Sequence, residues 1–383
     1  MNVNLDENLN EGMRDNSIDA FFFFFRAGLW EKDVQLLPYG KIDFAAIYKL
    51  AEEQSVVGLV AAALEHVVDT KVPKEEVLTF VGNTLQLEQR NTAMNKFVGT
   101  LIDKMRHADI YSLLVKGQAV AQCYEKPLWR ACGDVDIFLS DENYRKAKEL
   151  LLPLASSSEP EGLREKQLPL TIEGWVVELH GHLYGGLSHG IDKELNAIKI
   201  DSFNNGNIRS CKIGHTQVFL LSVENDIFYV FSHILQHFFK GGIGLRQVCD
   251  WCRLMWVYRD SLDIKKLETR IRNAGLNTEW KAFGAFAVKF LGMPAEAIPF
   301  YSADKRWEKK ASKICDFIIM SGNFGHNRDM SYYNKYSYVV RKTLSLGRRT
   351  KDAIHHIGIF PLDSMRFFPN LVFNGLRSAF NRE

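Results

Sequence analysis

The segment Gly133-Asp134-Val135-Asp136-Ile137-Phe138-Leu139 constrains the fold more than any other stretch of this chain. Side chains on a strand alternate between faces, so Val135, Ile137 and Leu139 share one side while Asp134, Asp136 and Phe138 share the other. Two carboxylates on one face repel unless a cation separates them. A divalent ion does this well, because Mg²⁺ takes oxygen ligands from one or two carboxylates and keeps its other positions for phosphate and water. A solvated strand edge can carry the same Asp-x-Asp pattern, so its surroundings must decide.

Those surroundings change period along the chain. Residues 1–16 are polar, acidic and Asn-containing and are expected to form a disordered leader. Residues 17–109 read as a helical region: Phe44, Ile47 and Leu50, then Val57, Val60 and Leu64, keep helical spacing. Lys74 to His107 continues it with Leu78, Val81, Leu85, Met94, Phe97, Leu101 and Met105. Residues 110–224 read as an α/β core. Ile110 to Val115 is an apolar run stopped by Lys116-Gly117, with a short helix expected over Gln118 to Tyr124. A helix is expected over Glu142 to Leu152 and a loop over Ser156 to Lys166. Leu168 to Ile172 and Trp175 to Leu179 flank Glu173-Gly174 as a hairpin with a two-residue turn. Residues 225–383 read as a C-terminal helical domain, with helices at Asn225 to Phe239, Leu245 to Tyr258, Ile264 to Ala274 and Glu279 to Leu291, preceded by one at Gln217 to Leu221. The expected fold class is α+β, a small mixed β-sheet core flanked by N-terminal and C-terminal helical regions.

Composition removes several alternatives. With 383 residues the chain has length for two or three domains and a large core. Its 48 Lys and Arg against 46 Asp and Glu leave no global field that would favour nucleic acid or an anionic membrane. Six cysteines are too few for a disulfide scaffold and suit a reducing cytoplasm. The Phe21 to Phe25 run follows Asp6, Glu7, Glu11, Asp15 and Asp19, where a secretory signal would be positive, and it is too short to cross a bilayer. A buried or partner-facing helix is expected there, with no transmembrane segment.

Several side chains extend the aspartate pattern towards chemistry. Glu178 shares a strand face with Val176 and His180 and offers a third carboxylate. Lys116-Gly117 stands where a strand gives way to a helix, a position suited to phosphate, and Arg130 falls just ahead of Asp134. A phosphate turn, two strand aspartates and a third acid describe a two-metal phosphoryl or nucleotidyl transfer site. The Lys116 and Arg130 cations either grip phosphate or neutralise the acids. On the helix from Asn225, an apolar face of Ile227, Val230, Phe231, Ile234, Leu235 and Phe238 leaves Asp226, Tyr229, His233, His237 and Lys240 opposite. That second face is either solvated or, with Arg246, set over the cleft. His233 and His237 with Cys249 and Cys252 have zinc-like spacing, but their order is reversed and the cysteines fall on core positions among Leu245, Val248, Met255 and Trp256. Gly181 to Gly190, with four glycines, fits a mobile lid or a tight connection equally. Arg341, Lys342, Arg348, Arg349 and Lys351 form a basic cluster that reads as a solvated face or a docking patch.

The stretch Leu113 to Leu139, continued by Trp175 to Leu183, resembles the uncharacterised bacterial nucleotidyltransferase-like family within the polymerase β-like nucleotidyltransferase superfamily. The likeness rests on Lys116, Gly117, Tyr124, Pro127, Arg130, Asp134, Asp136, Glu178 and His180 in that order, with weaker likeness around Phe25 to Trp30, His237, and Gly244 to Asp250. The wider superfamily has Gly-Gly or Gly-Ser at its phosphate turn, where this chain has Gly117-Gln118. The resemblance implies transfer of a nucleoside monophosphate from a nucleoside triphosphate such as ATP to a hydroxyl-bearing acceptor, whether small molecule, sugar, protein or RNA. It implies Mg²⁺ (or Mn²⁺) held by Asp134, Asp136 and Glu178, and substrate contacts from Lys116, Gly117, Gln118, Arg130, His180, His237 and Arg246. The competing expectation is a non-catalytic nucleotide-binding or protein-interaction module that retains the fold.

Overall fold

The computed structural model describes residues 4–162, 166–323 and 351–369, with side chains from Ser17 onward. Four helices come first: α1 (Asn4–Trp30), α2 (Phe44–Glu53), α3 (Val57–Ala63) and α4 (Lys74–His107). The sheet elements follow as β1 (Ser112–Val115), α5 (Gly117–Ala121), β2 (Val135–Leu139), α6 (Asp141–Leu151), β3 (Ser157–Ser158), β4 (Gln167–Ile172), β5 (Trp175–His180), α7 (His189–Phe203), β6 (Ile208–Ile213) and β7 (Thr216–Leu221). Then come α8 (Val223–Lys240), α9 (Leu245–Val257), α10 (Ile264–Ala274), α11 (Asn277–Leu291) and α12 (Lys305–Ser321), with further helix at 351–359 and 361–369. No helix among the described residues is long and apolar enough to cross a membrane.

Local chemistry explains several boundaries. The Ser140 side chain accepts from the Asn143 N–H to cap α6, Ser188 does the same for Ile191 in α7, and Asp263 accepts from Lys266 at the start of α10. Gly275 ends α10 in the left-handed region. Between β4 and β5, Glu173 and Gly174 both take positive φ, 51° and 80°, which matches the twist of a tight hairpin.

The seven strands form one mixed sheet in the order β3-β4-β5-β2-β1-β7-β6, with β2 parallel to β5, β1 parallel to β7, and β1 antiparallel to β2. The expected strand alternation is present, and both faces are covered. Val135, Ile137 and Leu139 pack with Leu114, Val177 and Leu179 against Met94, Phe97 and Leu101 of α4 and Tyr144 of α6. On the opposite face Leu113, Val115 and Phe138 join a larger core that contains Phe228 and Phe231 of α8, Trp251 of α9 and Phe283 of α11. Phe21, Phe24 and Phe25 are fully buried in that same core, so the phenylalanine run is interior. Phe22 meets Phe290 with ring centres 5.6 Å apart, and the Trp30 indole N–H donates to the Leu291 carbonyl, which joins α1 to α11. Gly28 permits close approach of α1 and α3, because a Cβ there would lie 1.7 Å from the Leu59 carbonyl oxygen.

The structure departs from the sequence reading in several places. Gln217 to Leu221 is strand β7 rather than helix: it pairs with β6 across a turn at Gly214, and a short apolar run has no period to separate the two. With that hairpin the mixed sheet has seven strands. Residues 4–16 are helical rather than a disordered leader, since extending a formed helix adds a hydrogen bond for each residue ordered. Leu78, Val81 and Leu85 are exposed, and the buried stripe of α4 runs instead through Phe80, Thr84, Asn91 and Met94. Of the basic cluster, Arg341, Lys342, Arg348 and Arg349 lie outside the described residues.

Candidate functional site

The site is built around the C-terminal end of β1. Lys116 leaves the strand with φ 54° and ψ −146°, a region that side-chain-bearing residues avoid, and Gly117 follows at φ 32°. A Cβ on Gly117 would come 3.3 Å from the Asp134 carbonyl oxygen, so the turn lies close against the start of β2. This elbow carries the Lys116 Nζ to within 2.7 Å of Asp136 Oδ1.

The parallel register of β2 and β5 pairs Asp136 with Glu178 and Phe138 with His180, on the face that looks towards α8. His180 Nε2 lies 2.8 Å from Asp136 Oδ1 and 3.4 Å from Glu178 Oε2. From β4, the Gln167 amide donates to Glu178 Oε2 at 2.7 Å. Ligand atoms of Asp136, Glu178 and His180 all lie within 4.8 Å of one another, the one such group of His, Cys, Asp or Glu among the described residues. Two carboxylates suit a hard divalent cation such as Mg²⁺ or Mn²⁺, and the imidazole supplies a third donor, so the donor set fits the implied metal. Asp134 lies just before β2 and lines the same cleft without belonging to this close group, which contains His180 where the sequence had suggested Asp134. Cys249 and Cys252 are fully buried and free, as expected of core positions.

The two acids are held differently. Burial would raise the Asp136 carboxyl, but Lys116 and then His180 overcome it and hold it down at about 2. Burial and the Asp136 charge push the Glu178 carboxyl up from its usual range. Burial alone would lower the Lys116 ammonium, yet Asp136 outweighs this and holds it above its ordinary value.

Helices α8 and α9 form the opposite wall. Tyr229, His233 and His237 repeat at four-residue spacing and, with Lys240, turn the polar face seen in the sequence into the cleft, whereas Asp226 pairs with Arg209 instead. The Lys116 ammonium lies 5.9 Å from the Tyr229 ring centre, and the Nε2 atoms of His233 and His237 are 3.0 Å apart. Burial, followed by the Lys116 charge, pushes His233 well below its usual value and His237 down to about 3, so both are neutral. Arg246 donates Nη1 to the Ala131 carbonyl at 2.8 Å and makes no ion pair with a carboxylate among the described residues. Burial and the Arg130 charge push its guanidinium below the usual value.

Two expected substrate contacts are otherwise engaged. Arg130 borders the cleft, but its fork is closed on Asp250 of α9, with Nε to Oδ1 at 3.0 Å and Nη2 on Oδ2, and its Nη1 donates to the Ala131 carbonyl. Gln118 is turned into the core, where its amide faces Asn91 at 3.4 Å and the Met94 sulfur at 3.2 Å, because one step into α5 rotates the side chain away from the turn. Lys116, Gly117, Asp134, Asp136, Glu178, His180, His237 and Arg246 all line one cleft of about 380 Å³. Gln167, His182, Tyr184 and Asp250 line it as well and were missed. For Gln167 the signal was present: the hairpin turn sets the register that pairs it with His180. In the glycine-rich loop, the N–H groups of Gly185 and Gly186 both donate to Asp192 Oδ1 at 3.0 Å.

A family model described as an uncharacterised nucleotidyltransferase matches residues 40–292. Among solved structures, the chain is similar to an antigenic nucleotidyltransferase-like protein from Paracoccidioides brasiliensis. The identity is 14% and the TM-score 0.28, over 49% of this chain and 86% of that one. No curated protein matches.

Proposed function

Because the chain belongs to the uncharacterised nucleotidyltransferase family over residues 40–292, we propose that its cleft binds a nucleoside triphosphate with Mg²⁺ (or Mn²⁺) and transfers the nucleoside monophosphate to a hydroxyl-bearing acceptor, releasing pyrophosphate. The observation that carries this reading is the pairing of Asp136 and Glu178 on adjacent parallel strands, with His180 within reach of both. Asp136, Glu178 and His180 would hold the ion, with Asp134 adding a further acid at the cleft wall. A bound divalent cation supplies charge neutralisation for the triphosphate and polarises the phosphoryl group.

The chain's own groups do the remaining work. Glu178 stands at the edge of the ion site, where its carboxylate is suited to assist deprotonation of the acceptor hydroxyl. Lys116, the Gly117 turn and Arg246 are suited to the phosphates, since Arg246 keeps cationic capacity that Arg130 has spent on Asp250. The neutral His233 and His237 can hydrogen-bond substrate without adding charge. All six cysteines are free, in keeping with a cytoplasmic setting.

Incubation with each α-labelled nucleoside triphosphate and Mg²⁺ or Mn²⁺ should yield pyrophosphate and labelled product or labelled protein, and Asp136→Asn should abolish it. If no triphosphate is turned over while Mg²⁺-dependent stabilisation by nucleotide persists, the chain is a non-catalytic binding module. If neither occurs, the cleft is not a nucleotide site.

A further inference from the structure

Lys116 and a divalent cation make competing claims on one oxygen. The Lys116 Nζ lies 2.7 Å from Asp136 Oδ1, and His180 Nε2 lies 2.8 Å from that same atom. Asp136 is only 2% exposed, so its charge needs a resident counter-charge, and Lys116 supplies it. The contact is made from a backbone at φ 54° and ψ −146°, a conformation that persists only where its surroundings enforce it. An ion in the Asp136, Glu178 and His180 group would sit next to the ammonium. Like charges so close in a buried site repel strongly, and the single positive charge of Lys116 already offsets that of Asp136. The two cations become compatible once the ammonium has another anion within the cleft. A polyphosphate is such an anion.

Building on the nucleotidyl-transfer reading, we propose that Lys116 is an exchangeable counter-ion. It holds Asp136 until a polyphosphate enters, then re-pairs its ammonium with phosphate and frees the carboxylate for the divalent cation that accompanies it. Metal alone therefore binds weakly, and metal and polyphosphate strengthen each other's binding reciprocally. Lys116 is a positioning residue here, since it acts through Asp136.

The test is Mn²⁺ titration followed by electron paramagnetic resonance, without nucleotide, on the wild type, Lys116→Met, Lys116→Gln and Lys116→Arg. Both neutral variants should bind Mn²⁺ on the order of tenfold more tightly than wild type, and Lys116→Arg should match wild type. Lys116→Gln retains a hydrogen-bond donor for Asp136 and guards against a folding defect. As a measurement on the unaltered protein, Mn²⁺ with inorganic tripolyphosphate should raise Tm by more than the sum of their separate effects. Unchanged or weaker Mn²⁺ binding in the folded neutral variants, or additive shifts in the wild type, overturns the exchange while leaving the metal reading standing. Absence of Mn²⁺ binding from every form, with and without tripolyphosphate, removes the metal reading itself.

Discussion

Arg130 and Asp250 form a closed fork beneath the cleft: Nε donates to Oδ1 at 3.0 Å, Nη2 meets Oδ2, and the side chains are 4% and 7% exposed. The Tyr124 hydroxyl donates to the same carboxylate at 2.8 Å. The fork ties the segment leading into β2 to α9, and so joins the two walls of the cleft. Stranding one member of such a buried pair costs about 3 to 5 kcal/mol. Urea denaturation should show a loss of that size for Arg130→Met, with much of it recovered in Arg130→Met/Asp250→Leu. Arg130→Lys, in whatever fraction remains folded, should keep near-wild-type triphosphate affinity. A selective loss of nucleotide binding with stability unchanged would return Arg130 to a phosphate role.

Glu178→Gln separates stability from chemistry. The folded protein holds this carboxyl above its usual 4.5 because of burial and Asp136, so ionised Glu178 opposes folding at neutral pH. The glutamine variant should therefore melt higher than wild type near pH 7. That advantage should vanish as pH falls below about 4.5, where the unfolded wild-type carboxyl is protonated too. Turnover should be lost throughout. A variant that melts lower than wild type at pH 7 would mean that ionised Glu178 does not oppose folding.

Acid should destabilise the protein through two sets of groups, the first acting alone above about pH 4. His233 and His237 are neutral when folded, and His237 stays so down to about 3, whereas an unfolded histidine takes up its proton near 6.5. The unfolded chain then binds more protons, so stability falls as pH drops below about 6.5. Asp136 acts lower: its contribution is complete above the unfolded value of 3.8 and is lost as pH falls towards about 2. Thermal melts of His233→Asn/His237→Gln should decline less steeply than wild type between pH 6.5 and 4. An unaltered decline would mean that other groups set the acid limit.

The strand aspartates, the hairpin and the polar face of α8 were legible because each depends on local period or turn chemistry. Glu173-Gly174 fixes the β4–β5 register, and that register carries Glu178 and His180 to one face. Partner choice was not legible. Nothing in the sequence around Arg130 indicates that its fork closes on Asp250, 120 residues away, rather than on phosphate. Gln118 was misread for a smaller reason: adjacency to the Gly117 turn suggested the cleft, while one helical step aims its side chain at Asn91 and Met94. The β7 segment was misread as helix because its apolar residues are too few to express a period and its partner β6 shows little alternation.

The loop that borders the cleft is rich in glycine, yet Asp192 tethers two successive backbone amides, Gly185 and Gly186, from the first turn of α7. A carboxylate bound to two amides holds that stretch of backbone as part of the helix that anchors it. The rim of the cleft at Tyr184 and Gly185 is thereby fastened to the same helix, so the length and position of α7 set where that rim stands.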